Sequence, residues 1–153
     1  DVIDIIKEYG FPRMRVMQFA VGDSFPHSIH LPHNHIPNGV VFIGTHDNDI
    51  IQGLWQKEIK DEQKISINKY LGKESNATNI NWDLIRMAQS SVANLAIITV
   101  QDLLELGTGA RINNPATTRS NWQWRLMSKQ WEELQEEALP ILQELSYTYG
   151  RAK

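Results

Sequence analysis

The chain has 153 residues, 41% hydrophobic and 22% charged, with a formal net charge of −3. That is apolar mass for one core, and a slightly acidic balance with no basic patch interleaved with aromatics excludes nucleic acid as an expected partner. No apolar run approaches the roughly 20 residues of a membrane span, so no membrane partner is expected; the lack of cysteine excludes a disulfide framework or thiolate metal site and fits a reducing, cytoplasmic setting.

Val2, Ile5, Ile6 and Tyr9 recur at helical spacing over residues 2–9, with Gly10 and Pro12 as a stop. So little precedes this helix that the chain, which opens on Asp1, reads as one cut from something longer. Met14–Ala20 reads as a strand. Residues 21–37 form a long irregular connection broken by Gly22, Pro26, Pro32 and Pro37, and such loops are often functional. Val40, Val41, Phe42 and Ile43 then form a β-branched and aromatic run that stops at Gly44, the pattern of a buried strand in a parallel sheet. Helices are predicted over Glu62–Leu71, ended by Gly72, and over Trp82–Asn94, with Asn81 as a cap. Leu95–Val100 is a third strand, followed by a short helix over Leu103–Leu106 and a loop, Arg111–Arg119. The last helix starts near Ser128 and carries Trp131, Leu134, Ala138, Ile141, Leu142 and Leu145 as its stripe; Pro140 should kink or divide it. Strands alternating with helices argue an α/β fold with a parallel sheet. Three strands are too few for a closed eight-stranded barrel of about 250 residues, so the chain is a small open sheet or the last part of a barrel.

The polar cluster Thr45, His46, Asp47 and Asn48 follows directly on the central strand. The carboxyl ends of parallel strands are where α/β folds place their chemistry. A carboxylate beside an imidazole can hydrogen-bond vicinal sugar hydroxyls or orient a water; the plainer alternative is that both residues only cap the next helix. Asp49 can cap the following turn. Glycosidic chemistry needs a pair of carboxyl groups, and no second one stands in an equally persuasive setting; Asp102, ahead of Leu103 and Leu104, reads as structural. All five histidines fall between His27 and His46. His27, His30, His33 and His35 invite a zinc reading, but the spacing matches no motif with a mechanism and the loop is proline-broken, so no metal is expected. Trp122 and Trp124 flank a polar loop with Asn113, Asn114, Arg119 and Arg125, an aromatic and amide set suited to sugar rings. Trp124 is expected to close the core; Trp122 stands evenly between core and sugar face.

The segments VMQFA, LPHNH, GTHDND, RINNP and SNWQWR, in that order, resemble the C-terminal part of the 4-α-glucanotransferases, also called amylomaltases or disproportionating enzymes. The resemblance runs from about residue 1 to about residue 127. It implies the C-terminal portion of a (β/α)8 TIM barrel, with residues 1–153 as part of the catalytic domain and the strands as the sixth, seventh and eighth. It implies a retaining double displacement on α-1,4-glucans or maltooligosaccharides, without a cofactor. Of the three acidic residues of such enzymes it places one here, Asp47, gripping the distorted sugar; His46 binds the same sugar. Gln18 of VMQFA, Asn113 and Trp122 are implied as further substrate-binding positions, with the Asn113 loop bordering the acceptor side. Where the family commonly has Met-Asn-x-Pro-Gly, this chain has Ile112, Asn113, Asn114, Pro115 and Ala116, so the loop is expected to depart in shape at Ala116. The acid/base Glu is expected upstream of Asp1 and the nucleophile further still. The isolated chain is therefore expected to be inactive, and its open strand edges to bind the missing N-terminal part of the same protein or to self-associate. Two alternatives remain: a glucan-binding module without turnover, and a metal protein built on the His27–His35 loop.

Overall fold

A computed structural model of the chain describes residues 2–21 and 25–152. Helix α1 (Val2–Glu8) leads into strand β1 (Arg13–Val16), β2 (Gly39–Phe42) follows a long connection, and β3 (Leu95–Ile97) closes the sheet. The order is β1-β2-β3 and both pairings are parallel, with Met14 opposite Val40 and Val40 opposite Leu95. Backbone bonds carry the ladder past the strand ends, from Gln18 N–H to Ile43 O (3.1 Å) and from Ile43 N–H to Ile97 O (3.2 Å). An α/β fold with parallel strands and helices is what the alternation of elements predicted.

The helices cover one face of the sheet. Val41 and Ile43 point into a core built with Ile51, Trp55, Ile80, Leu84, Ile85 and Ala88. These come from α2 (Ile51–Gly53), which runs on as a π-helical turn (Leu54–Glu58), and from α4 (Ile80–Gln89). The other face is bare: Met14, Leu95 and Ile97 are exposed and Phe42 only half-buried. A continuous apolar run predicts burial on both faces; here only alternate side chains of β2 receive it.

Several boundaries move for local reasons. The strand expected over Met14–Ala20 ends at Val16, because Met17–Val21 coils into a 3₁₀ turn. Met17 and Ala20, three apart, are both buried in the core, whereas a strand would send them to opposite faces. The helix expected from Trp82 to Asn94 spans Ile80 to Gln89 instead. Asn81 is not its cap: it is 0% exposed, its Nδ2 donates to Asp102 O (3.0 Å) and its Oδ1 accepts from Gln52 Nε2 (2.9 Å). The helix stops where serines bond the local backbone, Ser90 Oγ to Met87 O (2.9 Å) and Ala93 N–H to Ser91 Oγ (3.0 Å). The Arg151 guanidinium then donates to the carbonyls of Ala88, Gln89 and Ser91 at this helix end. The third strand ends at Ile97 because Thr99 caps a helix of its own, α5 (Val100–Leu103), accepting Asp102 N–H at its hydroxyl. That helix stands three residues earlier than expected.

Helix α3 (Asp61–Leu71) lies within one residue of its expected span and ends at Gly72, whose φ of +70° is the left-handed cap conformation. The C-terminal helix is divided as Pro140 requires: α6 (Ser128–Glu133), a π-helical turn (Leu134–Ala138), then α7 (Leu139–Thr148). Pro140 has no N–H to donate, and the wider turn before it removes the clash of its ring with the preceding carbonyl.

Candidate functional site

The loop Gly44–Asp49 leaves β2 at its carboxyl end and is fixed by its own short polar side chains. Asn48 Oδ1 accepts both the Thr45 N–H (2.9 Å) and the Thr45 hydroxyl (2.8 Å), and Asn48 N–H returns to Thr45 O (3.1 Å). Gly44 permits a close approach: a Cβ there would stand 2.7 Å from Gln18 Nε2, and the amide would have to move aside. That space lets Gln18 cross beneath the loop and donate to Asp49 O at 2.7 Å. Two buried carboxylates anchor the far end. Asp49 accepts Ile50 N–H (2.8 Å) and the Thr108 hydroxyl (3.1 Å). Asp102 accepts Ile51 N–H (2.9 Å), the first amide of α2, and the Thr99 hydroxyl (2.7 Å). Burial pushes the Asp102 carboxyl above the usual carboxylate range; the bonds from Ile51 and Thr99 oppose the shift and the nearby Asp49 adds to it. A Cβ on Gly53 would overlap the Asp49 carboxylate, so a side chain at this position would have to displace that group from its bonds to Ile50 and Thr108.

So anchored, the loop presents His46 and Asp47 outward, with side chains 54% and 52% exposed and Nε2 to Oδ2 at 3.3 Å. The other carboxylate oxygen of Asp47 accepts from Asn113 Nδ2 at 2.6 Å. The indole of Trp122 lies over the His46 ring, centroids 5.1 Å apart and planes inclined 43°. Trp122 is exposed, has a φ of +63°, and donates its N–H to Ile112 O (2.7 Å). A bulky residue in left-handed backbone is uncommon, and such strain gathers at ligand sites. Four of the five residues singled out in the sequence thus meet at one rim, although Asp47 and Asn113 are 66 positions apart. The fifth, Gln18, lies deeper, against a cavity of about 360 Å³ at the strand ends that it lines with His46, Asn48, Gln101 and the apolar Met14 and Phe42. Its Oε1 is buried without a partner among the described residues. An apolar hollow with a carboxylate, an imidazole, an amide and an indole face on its rim suits a ring with hydroxyls on one edge and C–H groups on its faces.

Sequence reasoning missed Arg111, which donates Nη2 to Asp47 O (2.6 Å) and Nε to Asn113 O (2.7 Å). Its only signal was membership of the RINNP segment. Trp124, expected in the core, is half-buried and outside it. The histidine loop is structural wherever its rings bond. His30 Nδ1 accepts Val16 N–H (3.0 Å), and His33 Nδ1 lies 2.9 Å from the Tyr70 hydroxyl. His35 spans Ser91 Oγ (2.6 Å) and His30 O (3.0 Å). His35 therefore donates from Nε2 to the carbonyl and accepts from Ser91 at Nδ1. Among the described residues no group of three or more His, Asp or Glu is placed to hold a metal ion.

Residues 1–132 match the family model described as 4-alpha-glucanotransferase. The chain belongs to the 4-alpha-glucanotransferase family. It is 45% identical over 152 residues to the chloroplastic/amyloplastic 4-alpha-glucanotransferase of Oryza sativa subsp. japonica, covering 99% of this chain and 25% of that protein. The 4-alpha-glucanotransferase of Clostridium butyricum is 42% identical over 125 residues, which is 82% of this chain and 25% of that protein. The structure of the amylomaltase from Streptococcus agalactiae in complex with acarbose superposes with a TM-score of 0.89 at 32% identity, over 99% of this chain and 30% of that one. The chain thus spans about a quarter of the length of the curated relatives it matches. The three parallel strands and their helices correspond to part of the amylomaltase structure.

Proposed function

We propose that this chain is the C-terminal part of a (β/α)8 catalytic domain, with β1, β2 and β3 as the sixth to eighth strands, in a 4-α-glucanotransferase. The protein moves α-1,4-glucan segments between maltooligosaccharides by a retaining double displacement. The observation that carries this reading is the Asp47 carboxylate at the exit of a parallel strand, held between His46 and Asn113 on the rim of the cavity. Asp47 grips the hydroxyls of the donor sugar more strongly in its flattened, oxocarbenium-like form than in its relaxed chair, and binding that strengthens towards the transition state is what accelerates the step. His46 takes a hydroxyl of the same sugar. Trp122 offers a stacking face and Asn113 a donor at the acceptor side, while Gln18 turns its unpaired oxygen to a hydroxyl in the hollow. No residue of this chain is assigned as nucleophile or acid/base: Asp49 and Asp102, the carboxylates beside the rim, are buried in capping bonds. Those two roles are supplied by the remainder of the protein, which also completes the sheet at its open edges. The acarbose in the amylomaltase complex and the family of the relatives support a maltooligosaccharide ligand. The cytoplasmic setting stays part of the proposal; the plant relatives are described as chloroplastic/amyloplastic.

The test is maltotriose. The protein extended upstream to the length of its relatives is expected to yield glucose and longer oligomers, and the 153-residue chain alone is not. Enzyme-like turnover by the isolated chain would overturn the assignment of roles. A glucan-binding module without turnover is the second reading, favoured by the engagement of both Asp47 oxygens within the chain; maltooligosaccharide titration with no products from the extended protein would establish it.

A further inference from the structure

The Arg111 guanidinium does not touch the Asp47 carboxylate. Its two hydrogen bonds go to main-chain oxygens: Nη2 to Asp47 O at 2.6 Å and Nε to Asn113 O at 2.7 Å. These are the carbonyls of the two residues whose side chains meet at 2.6 Å. One rigid planar group therefore sets the spacing between the loop after β2 and the loop that carries Asn113. Guanidinium nitrogens lie in a fixed fork, so two carbonyls held by neighbouring nitrogens cannot slide past each other as they could on a flexible ammonium. The rest of the Asn113 loop bonds mainly to itself, as in Asn114 N–H to Asn121 Oδ1 (2.9 Å) and Trp122 N–H to Ile112 O (2.7 Å). The other link from this loop to the Asp47 loop is made of exposed side chains, the Asn113 amide and the Trp122 ring.

We propose that Arg111 is a positioning residue for sugar transfer: it locks the backbones of Asp47 and Asn113 together, so that the carboxylate stays aimed when Asn113 exchanges its bond to Asp47 for a bond to substrate. This rests on the reading of Asp47 as the transition-state carboxylate. Both guanidinium bonds go to carbonyls, so Arg111 holds the backbone of Asp47 without occupying either of its carboxylate oxygens.

The experiment is maltotriose disproportionation by the full-length protein carrying Arg111→Ala, Arg111→Lys or Asp47→Asn. A misplacement of about 1 Å costs ~100-fold in rate, so Arg111→Ala is expected to lower kcat about 100-fold with KM changed far less. Added guanidinium ion, at concentrations too low to denature, is expected to restore about tenfold of that loss to Arg111→Ala, by refilling the fork, and nothing to Asp47→Asn. Arg111→Lys keeps the stem but not the fork; it serves where the alanine variant does not fold, with kcat expected about tenfold down. A kcat within about threefold of the parent in Arg111→Ala, or in Arg111→Lys if only that folds, overturns the inference. So does a loss in Arg111→Ala that guanidinium does not relieve, since that is a fold defect and not a lost clamp. An Asp47→Asn protein that keeps its activity fells the reading of the site and the inference with it. An inactive Asp47→Asn beside a fully active Arg111→Ala fells the inference alone.

Discussion

Four histidines lie in the connection between β1 and β2, and one lies at the exit of β2. The crowded loop looks more like a site in the sequence, with four ligand-type side chains in nine positions from His27 to His35. In the folded chain His30 and His35 are tied to the backbone of β1 and to Ser91, and burial pushes both imidazoles below their ordinary pKa, with the Arg15 charge lowering them further. The solitary His46 is exposed, faces a carboxylate and carries an indole on its ring. A density of reactive residue types says little; what matters is whether the fold leaves their polar atoms free, and the end of a parallel strand does so where a connection packed on the sheet does not.

This contrast can be broken most sharply at Asp47. In the full-length protein Asp47→Asn is expected to lower turnover by about three orders of magnitude, the scale of a lost transition-state contact, with the melting temperature unchanged; a loss below about tenfold would remove Asp47 from the catalytic set. On the other loop the effect should fall on stability. His35→Ala removes the acceptor of the Ser91 O–H and the donor to the His30 carbonyl and is expected to cost about 2 kcal/mol, read as a lower denaturation midpoint; an unchanged midpoint would mean the histidine loop is not structural.

Acidification tests the same point more gently. His30 and His35 have lowered pKa values in the folded chain, so between that value and the ordinary 6.5 the unfolded chain binds more protons. The stability they contribute is whole above pH ~6.5 and declines as the pH falls below it. Thermal melts across that range should show the decline, and His35→Gln should flatten it; an identical slope in the variant would refute the assignment. The smallest effect is expected at His27, which is exposed. His27→Ala should change stability by less than about 0.5 kcal/mol, and zinc titrated into the parent should leave the melting temperature where it was. A zinc-dependent rise lost in His27→Ala would revive the metal reading of that loop.

Much of the architecture was legible along the chain. The β-branched run ending in Gly44 announced β2 and the polar exit, Gly72 announced the end of α3, and Pro140 announced the division of the last helix, because backbone geometry at such positions depends on the residue itself. The helix at Ile51–Glu58 was legible too in the spacing of Ile50, Ile51, Leu54 and Trp55, and went unread. Asn81 misled because a cap and a buried polar link need the same side chain, and only the neighbours Gln52 and Asp102 tell them apart.

Local order, the positions of the strands and the polar cluster that follows β2 are properties that this sequence determines alone, since they follow from side-chain shape and steric limits within a few positions. Which groups face one another was decided only when the chain closed on itself. Asp102 reaches back 51 positions to cap α2, and Asn113 and Arg111 reach back across more than sixty to hold Asp47. Hydrogen bonds of that kind depend on distances of about 3 Å between segments that only packing brings together, and no local pattern encodes them.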